Sequence, residues 1–186
     1  VKIANKMVGE GKGILAADES TPTCTKRFNS IGIESTFENR NEYRDMLITT
    51  KNIENYIGGV IMFDETLRQS TTCNEKIPFV NYLNSRGIVP GIKVDKGAKN
   101  LAGLKGEKVT EGLDGLRERL KEYYKLGARF AKWRAVYIIS DKHPSKISIY
   151  SNAHALARYA ALVQESGMVP IVEPEVLMDG KHNSED

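Results

Sequence analysis

Five apolar runs punctuate this chain, and the later ones end in charge. They are Gly13-Ile14-Leu15-Ala16-Ala17-Asp18, Gly59-Val60-Ile61-Met62-Phe63, Ile88-Val89-Pro90-Gly91-Ile92-Lys93-Val94-Asp95, Phe130-Ala131-Lys132-Trp133-Arg134-Ala135-Val136 and Val169-Pro170-Ile171-Val172-Glu173-Pro174-Glu175. Their length and apolar content predict strands. Helical spacing fills the gaps. Leu113, Leu116, Leu120 and Tyr124 recur at steps of three or four, which predicts one buried stripe that Gly127 ends. Asn152 reads as the N-cap of a helix carrying Ala153, Leu156, Ala157, Ala160 and Val163, and Gly167 closes it. An earlier helix is expected from about Asn41 to Thr50, with Tyr43, Met46 and Leu47 on one side, and a short one from Asp64 through Thr66 to Gln69.

Strand, helix, strand in repetition implies a parallel sheet with right-handed crossovers. An open doubly wound sheet would need strands apolar on both faces. Here the third, fourth and fifth strands each carry a pair of ionisable residues two apart: Lys93 with Asp95, Lys132 with Arg134, and Glu173 with Glu175. Residues i and i+2 share a face of a strand. Buried charge is costly unless paired. One such pair is satisfied by an edge strand facing water. Three at matching places point to a shared polar site. A closed (β/α)8 TIM barrel, with its site at the C-terminal strand ends, accounts for this better than an open sheet. Such a barrel has eight strands. Residues 1–186 are expected to form one partial domain covering about the first five.

Trp133, between Lys132 and Arg134, is expected to point outward and pack on helices. Pro170 and Pro174 remove ladder donors, so the fifth strand is expected to be locally irregular.

Composition narrows the function. A net charge of +3 with no dense basic run interleaved with aromatics argues against nucleic acid. No apolar run is long enough for a membrane span, and residues 1–12 lack the apolar core of a signal peptide. Two cysteines, Cys24 and Cys73, make no disulfide framework and suit a reducing cytosol. His143, His154 and His182 are not spaced for shared ligation, so no metal is expected. Gly9-Glu10-Gly11-Lys12-Gly13 precedes a strand instead of following one, so it reads as a turn and not as a phosphate loop.

Asp18, at the end of the first strand and followed by Glu19-Ser20-Thr21-Pro22-Thr23, suits a helix cap or a catalytic carboxylate equally. Lys26 and Arg27 could bind phosphate or simply be solvated. Arg40 and Arg44, on a helical stretch, read as surface ion-pair formers.

The motifs Gly13-Ile14-Leu15-Ala16-Ala17-Asp18-Glu19-Ser20, Gly91-Ile92-Lys93-Val94-Asp95-Lys96-Gly97, Glu111-Gly112-Leu113-Asp114-Gly115-Leu116, Ala131-Lys132-Trp133-Arg134 and Val169-Pro170-Ile171-Val172-Glu173-Pro174-Glu175 resemble class I fructose-bisphosphate aldolase. The resemblance runs from about Val8 to Gly180. It implies a cytosolic, homotetrameric barrel that needs no metal or other cofactor. The implied reaction is cleavage of the sugar phosphate fructose 1,6-bisphosphate into dihydroxyacetone phosphate and glyceraldehyde 3-phosphate. It also implies that Asp18, Lys93, Lys132, Arg134, Glu173 and Glu175 are active-site residues, with Glu173 the main proton shuttle. By the same resemblance Arg27 matches a phosphate-binding position with Lys26 beside it. Thr23 stands where the family often has serine, and Arg40 matches a substrate-binding arginine.

The family's Schiff-base lysine belongs to a sixth strand, beyond Asp186. The chain alone is therefore expected to lack turnover, and an open five-stranded arc is expected to be unstable or to associate. Two other readings stay open. One is a related aldolase or transaldolase in which Lys132 forms the imine. The other is a non-catalytic phosphate-binding or scaffold protein.

Overall fold

The computed structural model describes residues 1–186. Its strands are β1 (Gly13–Ala17), β2 (Ile57–Met62), β3 (Val89–Lys93), β4 (Ala98–Asn100), β5 (Lys108–Thr110), β6 (Phe130–Tyr137) and β7 (Val169–Val176). Its helices are α1 (Lys2–Met7), α2 (Thr21–Asn29), α3 (Phe37–Ile48), α4 (Asp64–Leu67), α5 (Phe79–Ser85), α6 (Leu116–Leu126) and α7 (Lys146–Glu165). Five strands form a sheet in the order β1-β2-β3-β6-β7, and β4 pairs with β5 in a separate hairpin. All five strands expected from the apolar runs are present. Two compact units contain them: Val1–Lys93 with Glu122–Ala131, and Val94–Lys121 with Lys132–Asp186. No helix is long and apolar enough to cross a membrane.

In the first unit β1 runs parallel to β2 and β2 to β3, with Leu15 beside Val60 and Val60 beside Pro90. β2 is buried from Gly58 to Met62, as a strand covered on both faces must be. The ring of Phe130 lies against glycines of β2 and β3. A Cβ built on Gly91 would stand 2.2 Å from that ring, and one on Gly59 would stand 3.2 Å from it. Ile48, Met62, Phe79 and Leu83 complete this core.

In the second unit Trp133 is fully buried, with its ring centroid 5.5 Å from that of Tyr159 on α7. The tryptophan therefore packs on a helix, as its place between Lys132 and Arg134 requires. Gly127 and Gly167 follow α6 and α7 at φ of 108° and 81°, the left-handed geometry that closes a helix.

Several expectations need correction. Tyr124 is not on the buried stripe of α6. Tyr123 is buried with Leu116 and Leu120, while Tyr124 turns outward and carries the Arg129 guanidinium 4.3 Å above its ring. Leu113 precedes the helix. α3 begins at Phe37 because the Thr36 hydroxyl accepts from Asn39 N–H at 3.0 Å. Its buried residues are Arg44 and Ile48, and Met46 is 61% exposed. Asn152 is not an N-cap. Ser145 caps α7 by accepting from Ser148 N–H at 3.2 Å, and Asn152 lies inside the helix, buried. Its side chain bonds the β5 backbone, a partner that helical periodicity alone does not announce. Asp95 lies beyond the end of β3 instead of within it. β7 runs unbroken for 8 residues through Pro170 and Pro174. It stands last in the strand order, where a missing donor costs least.

Gly91→Ala is expected to destabilise the fold by about 1–3 kcal/mol, since the new methyl group overlaps the Phe130 ring. Chemical denaturation checks this. Adding Phe130→Leu should recover part of the loss, and a Gly91→Ala variant as stable as the wild type would contradict the packing.

Candidate active site

The first unit holds two candidate groups at the C-terminal ends of parallel strands. Asp18 directly follows β1 and is buried, and Lys93 ends β3, half-buried. In the same unit, arginines of α2 and α3 are already engaged. Glu19 gathers three partners. Arg44 Nη1 and Arg27 Nη1 each donate to its carboxylate, and Tyr43 Oη donates to Oε1 at 3.1 Å. Arg44 Nη2 also donates to the Glu19 carbonyl at 2.6 Å and to Cys24 Sγ at 3.4 Å. Arg44 is buried, so the surface reading of this residue is corrected: it anchors α3 to the segment after β1.

Burial pushes the Glu19 carboxyl up, but the hydrogen bonds and charge of Arg44, with the Tyr43 hydroxyl, outweigh it. The carboxyl sits below the usual range. Arg40 is locked in a two-point pair with Glu65, Nε to Oε1 and Nη2 to Oε2 both at 2.8 Å. Arg27, Lys26 and Thr23 lie on exposed positions of α2, and the Thr23 hydroxyl is 3.1 Å from that of Ser20.

The second unit brings four predicted residues together. Lys132 Nζ is 3.2 Å from Glu173 Oε2. Arg134 Nε is 3.8 Å from Glu173 Oε1 and donates to Glu175 Oε2, while Nη2 donates to Glu175 Oε1 at 2.8 Å. Glu173 therefore lies between two cations. The Arg134 hydrogen bonds hold the Glu175 carboxyl below its usual range against the cost of burial, and the charges of Arg134 and Lys132 add to this. Asp95 was visible in the sequence only as the partner of Lys93 in a pair. Here it is buried, with Oδ1 accepting from Gly97 N–H at 3.0 Å and Oδ2 from Arg134 N–H at 3.3 Å.

Sequence reasoning missed Glu19 and the roles of Thr110 and Asn152. Glu19 had one signal, its place beside Asp18 at a strand end. Thr110 and Asn152 had none, because their partners lie 24 and 42 residues away.

Chemically, the second cluster offers a carboxylate flanked by a lysine and an arginine. Such a group can accept a proton, and its cations can hold an anionic oxygen.

Comparison with known proteins follows the same line. The family described as "Fructose-bisphosphate aldolase class-I" matches residues 1–186. A "Probable fructose-bisphosphate aldolase class 1" of Xanthomonas campestris pv. campestris is 62% identical over 182 residues, covering 98% of this chain and 54% of that protein. "Fructose-bisphosphate aldolase 4, cytosolic" of Arabidopsis thaliana is 55% identical, covering 94% of this chain and 44% of that protein. Among solved structures, fructose-bisphosphate aldolase from Plasmodium falciparum, in complex with TRAP and a small-molecule inhibitor, superposes with a TM-score of 0.94 at 53% identity. It covers 99% of this chain and 53% of that one. The likeness shows the fold, which is that of the first part of a (β/α)8 barrel. The chain spans about half the length of these relatives.

Glu19→Gln is expected to cost about 3 kcal/mol, because it leaves Arg44 buried without its counter-charge. Glu19→Gln with Arg44→Met should recover much of this. The folded carboxyl titrates below its unfolded value of about 4.3. Its contribution is therefore complete above that pH and is lost as pH falls through the folded value. Unfolding measured down this acidic range should show a flatter profile for Glu19→Gln. An equally steep profile would rule the ion pair out as the cause.

Proposed function

The chain belongs to the class-I fructose-bisphosphate aldolase family, and on that premise we propose that the full-length protein cleaves fructose 1,6-bisphosphate. The cleavage is reversible and yields dihydroxyacetone phosphate and glyceraldehyde 3-phosphate, a carbon–carbon lyase step of glycolysis. The observation that carries this reading is the placement of Glu173. Its carboxylate lies 3.2 Å from Lys132 and 3.8 Å from Arg134, with about a third of its side chain open to solvent.

The chemistry needs such a group. Breaking the bond beside a ketone leaves an electron pair on carbon. A protonated imine formed between the ketone and a lysine takes up that pair. The family's imine lysine lies on a strand beyond these residues. A base removes the proton of the hydroxyl on the departing carbon, and an acid assists loss of water as the imine forms. Glu173 is the proposed shuttle for these protons. Lys132 and Lys93 are each proposed to hold substrate oxygens. Asp18 orients or deprotonates substrate hydroxyls. Glu175 tunes the cationic cluster by its hold on Arg134. Arg27, with Lys26 and Thr23 on the same helix, is proposed for phosphate. Arg40 is proposed for substrate binding, its guanidinium oriented by Glu65. Residues 1–186 are proposed to be a single partial TIM-barrel domain. The enzyme is proposed to be cytoplasmic and homotetrameric, as a relative named cytosolic supports for the compartment.

In the full-length enzyme Glu173→Gln should lower kcat by about 10²–10⁴-fold with little change in substrate affinity. Glu165→Gln is the control, since Glu165 is exposed and pairs only with exposed Arg117 at 2.8 Å. Equal kcat for the two variants would remove Glu173 as the shuttle. Borohydride trapping with substrate, followed by peptide mapping, should label a lysine outside residues 1–186. Label on Lys132 would replace this mechanism with one in which Lys132 forms the imine.

A further inference from the structure

β6 has 8 residues and its neighbour β3 has 5. Val94 N–H still donates to Lys132 O at 3.1 Å. In a parallel ladder, alternate residues of one strand turn their backbone groups to the same neighbour. Arg134 therefore presents its N–H and C=O on the side where Lys132 does, but β3 has ended there. Val94 O is taken instead by Arg119 Nη1 at 2.9 Å. Buried backbone groups must find partners. Two side chains take the ladder positions. Asp95 Oδ2 accepts from Arg134 N–H at 3.3 Å, and Thr110 Oγ1 donates to Arg134 O at 2.7 Å.

Thr110 is itself fixed. It is 3% exposed, and its N–H donates to Asn152 Oδ1 at 3.1 Å. Asn152 is 1% exposed, and its Nδ2 donates to Lys108 O at 2.9 Å and Ser148 O at 3.0 Å. An asparagine inside α7 thus holds the end of the β4–β5 hairpin, and the hairpin holds the backbone of Arg134.

We propose that Thr110, anchored by Asn152, is a positioning residue: its hydroxyl fixes the backbone from which the Arg134 guanidinium reaches Glu175 and Glu173. Thr110 touches no reacting atom in this role and acts only through Arg134. The kinetic consequence rests on the aldolase reading above, but the geometric one does not.

The test uses the full-length protein with Thr110→Val, which removes the hydroxyl and keeps the shape, and Thr110→Ser, which keeps the hydroxyl. Two quantities are read. One is the titration of the Glu175 carboxyl by carbon NMR. The other is kcat/KM for fructose 1,6-bisphosphate across pH. In Thr110→Val the Glu175 titration should move up toward its ordinary value of about 4.3, as Arg134 loosens. The value of kcat/KM should fall about tenfold, short of the roughly 10²-fold that a 1 Å displacement can cause. Thr110→Ser should keep both near wild type. In an Arg134→Ala background, Thr110→Val should leave Glu175 unchanged.

An unmoved Glu175 titration in Thr110→Val overturns the proposal. So does a Thr110→Ser variant as impaired as Thr110→Val, or a further shift of Glu175 in the Arg134→Ala background. If Thr110→Val does not fold, Thr110→Ala removes the same hydroxyl without a methyl in its place, and the same readings decide. If the wild-type full-length protein cleaves no fructose 1,6-bisphosphate, the functional reading fails, and the Glu175 titration alone decides the positioning role.

Discussion

A carboxylate stays charged in a half-buried place only where a cation is held against it. In the second unit β6 supplies the cations and β7 the anions, each as a pair two residues apart. The match of Lys132 with Glu173 and of Arg134 with Glu175 therefore fixes strand register as well as charge. A slip of one residue would turn both carboxylates to the opposite face, away from these cations. The first unit solves the same problem with one anion and several donors. Glu19 draws Arg44, Arg27 and Tyr43 to a single carboxylate, and this ties α2 and α3 to the segment carrying Asp18.

What the sequence disclosed follows from which forces leave a local trace. The strands β1, β2, β3, β6 and β7 were legible because burial writes itself as a short apolar run between turn residues. The ionisable pairs on β6 and β7 were legible because alternation puts i and i+2 on one face. Trp133 could be turned away from the site by the same rule. Helix faces were read less well. Periodicity put Tyr124 on the buried stripe, but Tyr123 is the buried one and Tyr124 is 41% exposed beneath the Arg129 guanidinium. It also passed over Arg44, a charged residue on a buried face, because its counter-charge lies 25 residues earlier in a loop. The β4–β5 hairpin was missed altogether. Its strands have 3 residues each and little apolar content, and Asn152 and Thr110 hold it by polar contacts.

The cations differ in how far they are committed. Arg40 has Glu65 across its fork and little side-chain exposure, so its guanidinium plane is set by that pair. Arg27 shares Glu19 with Arg44 and is 57% exposed in its side chain, so it can leave the carboxylate while the buried Arg44 still supplies the counter-charge. Arg134 is constrained at its N–H, its carbonyl and its guanidinium together.

The guanidinium of Arg44 also lies against Cys24, with consequences for labelling the protein. Cys24 is buried, and burial pushes its thiol up, so it stays protonated and out of reach. Cys73 is exposed, and the hydrogen bond from Thr71 pulls its thiol down. Thiolate is the reactive form. Of the two cysteines in these residues, only Cys73 presents itself to an alkylating dye while the fold is intact. A fluorophore or spin label attached without any engineering would report from the loop between α4 and α5. Uptake of a second equivalent would signal that the Glu19–Arg44 lock had opened.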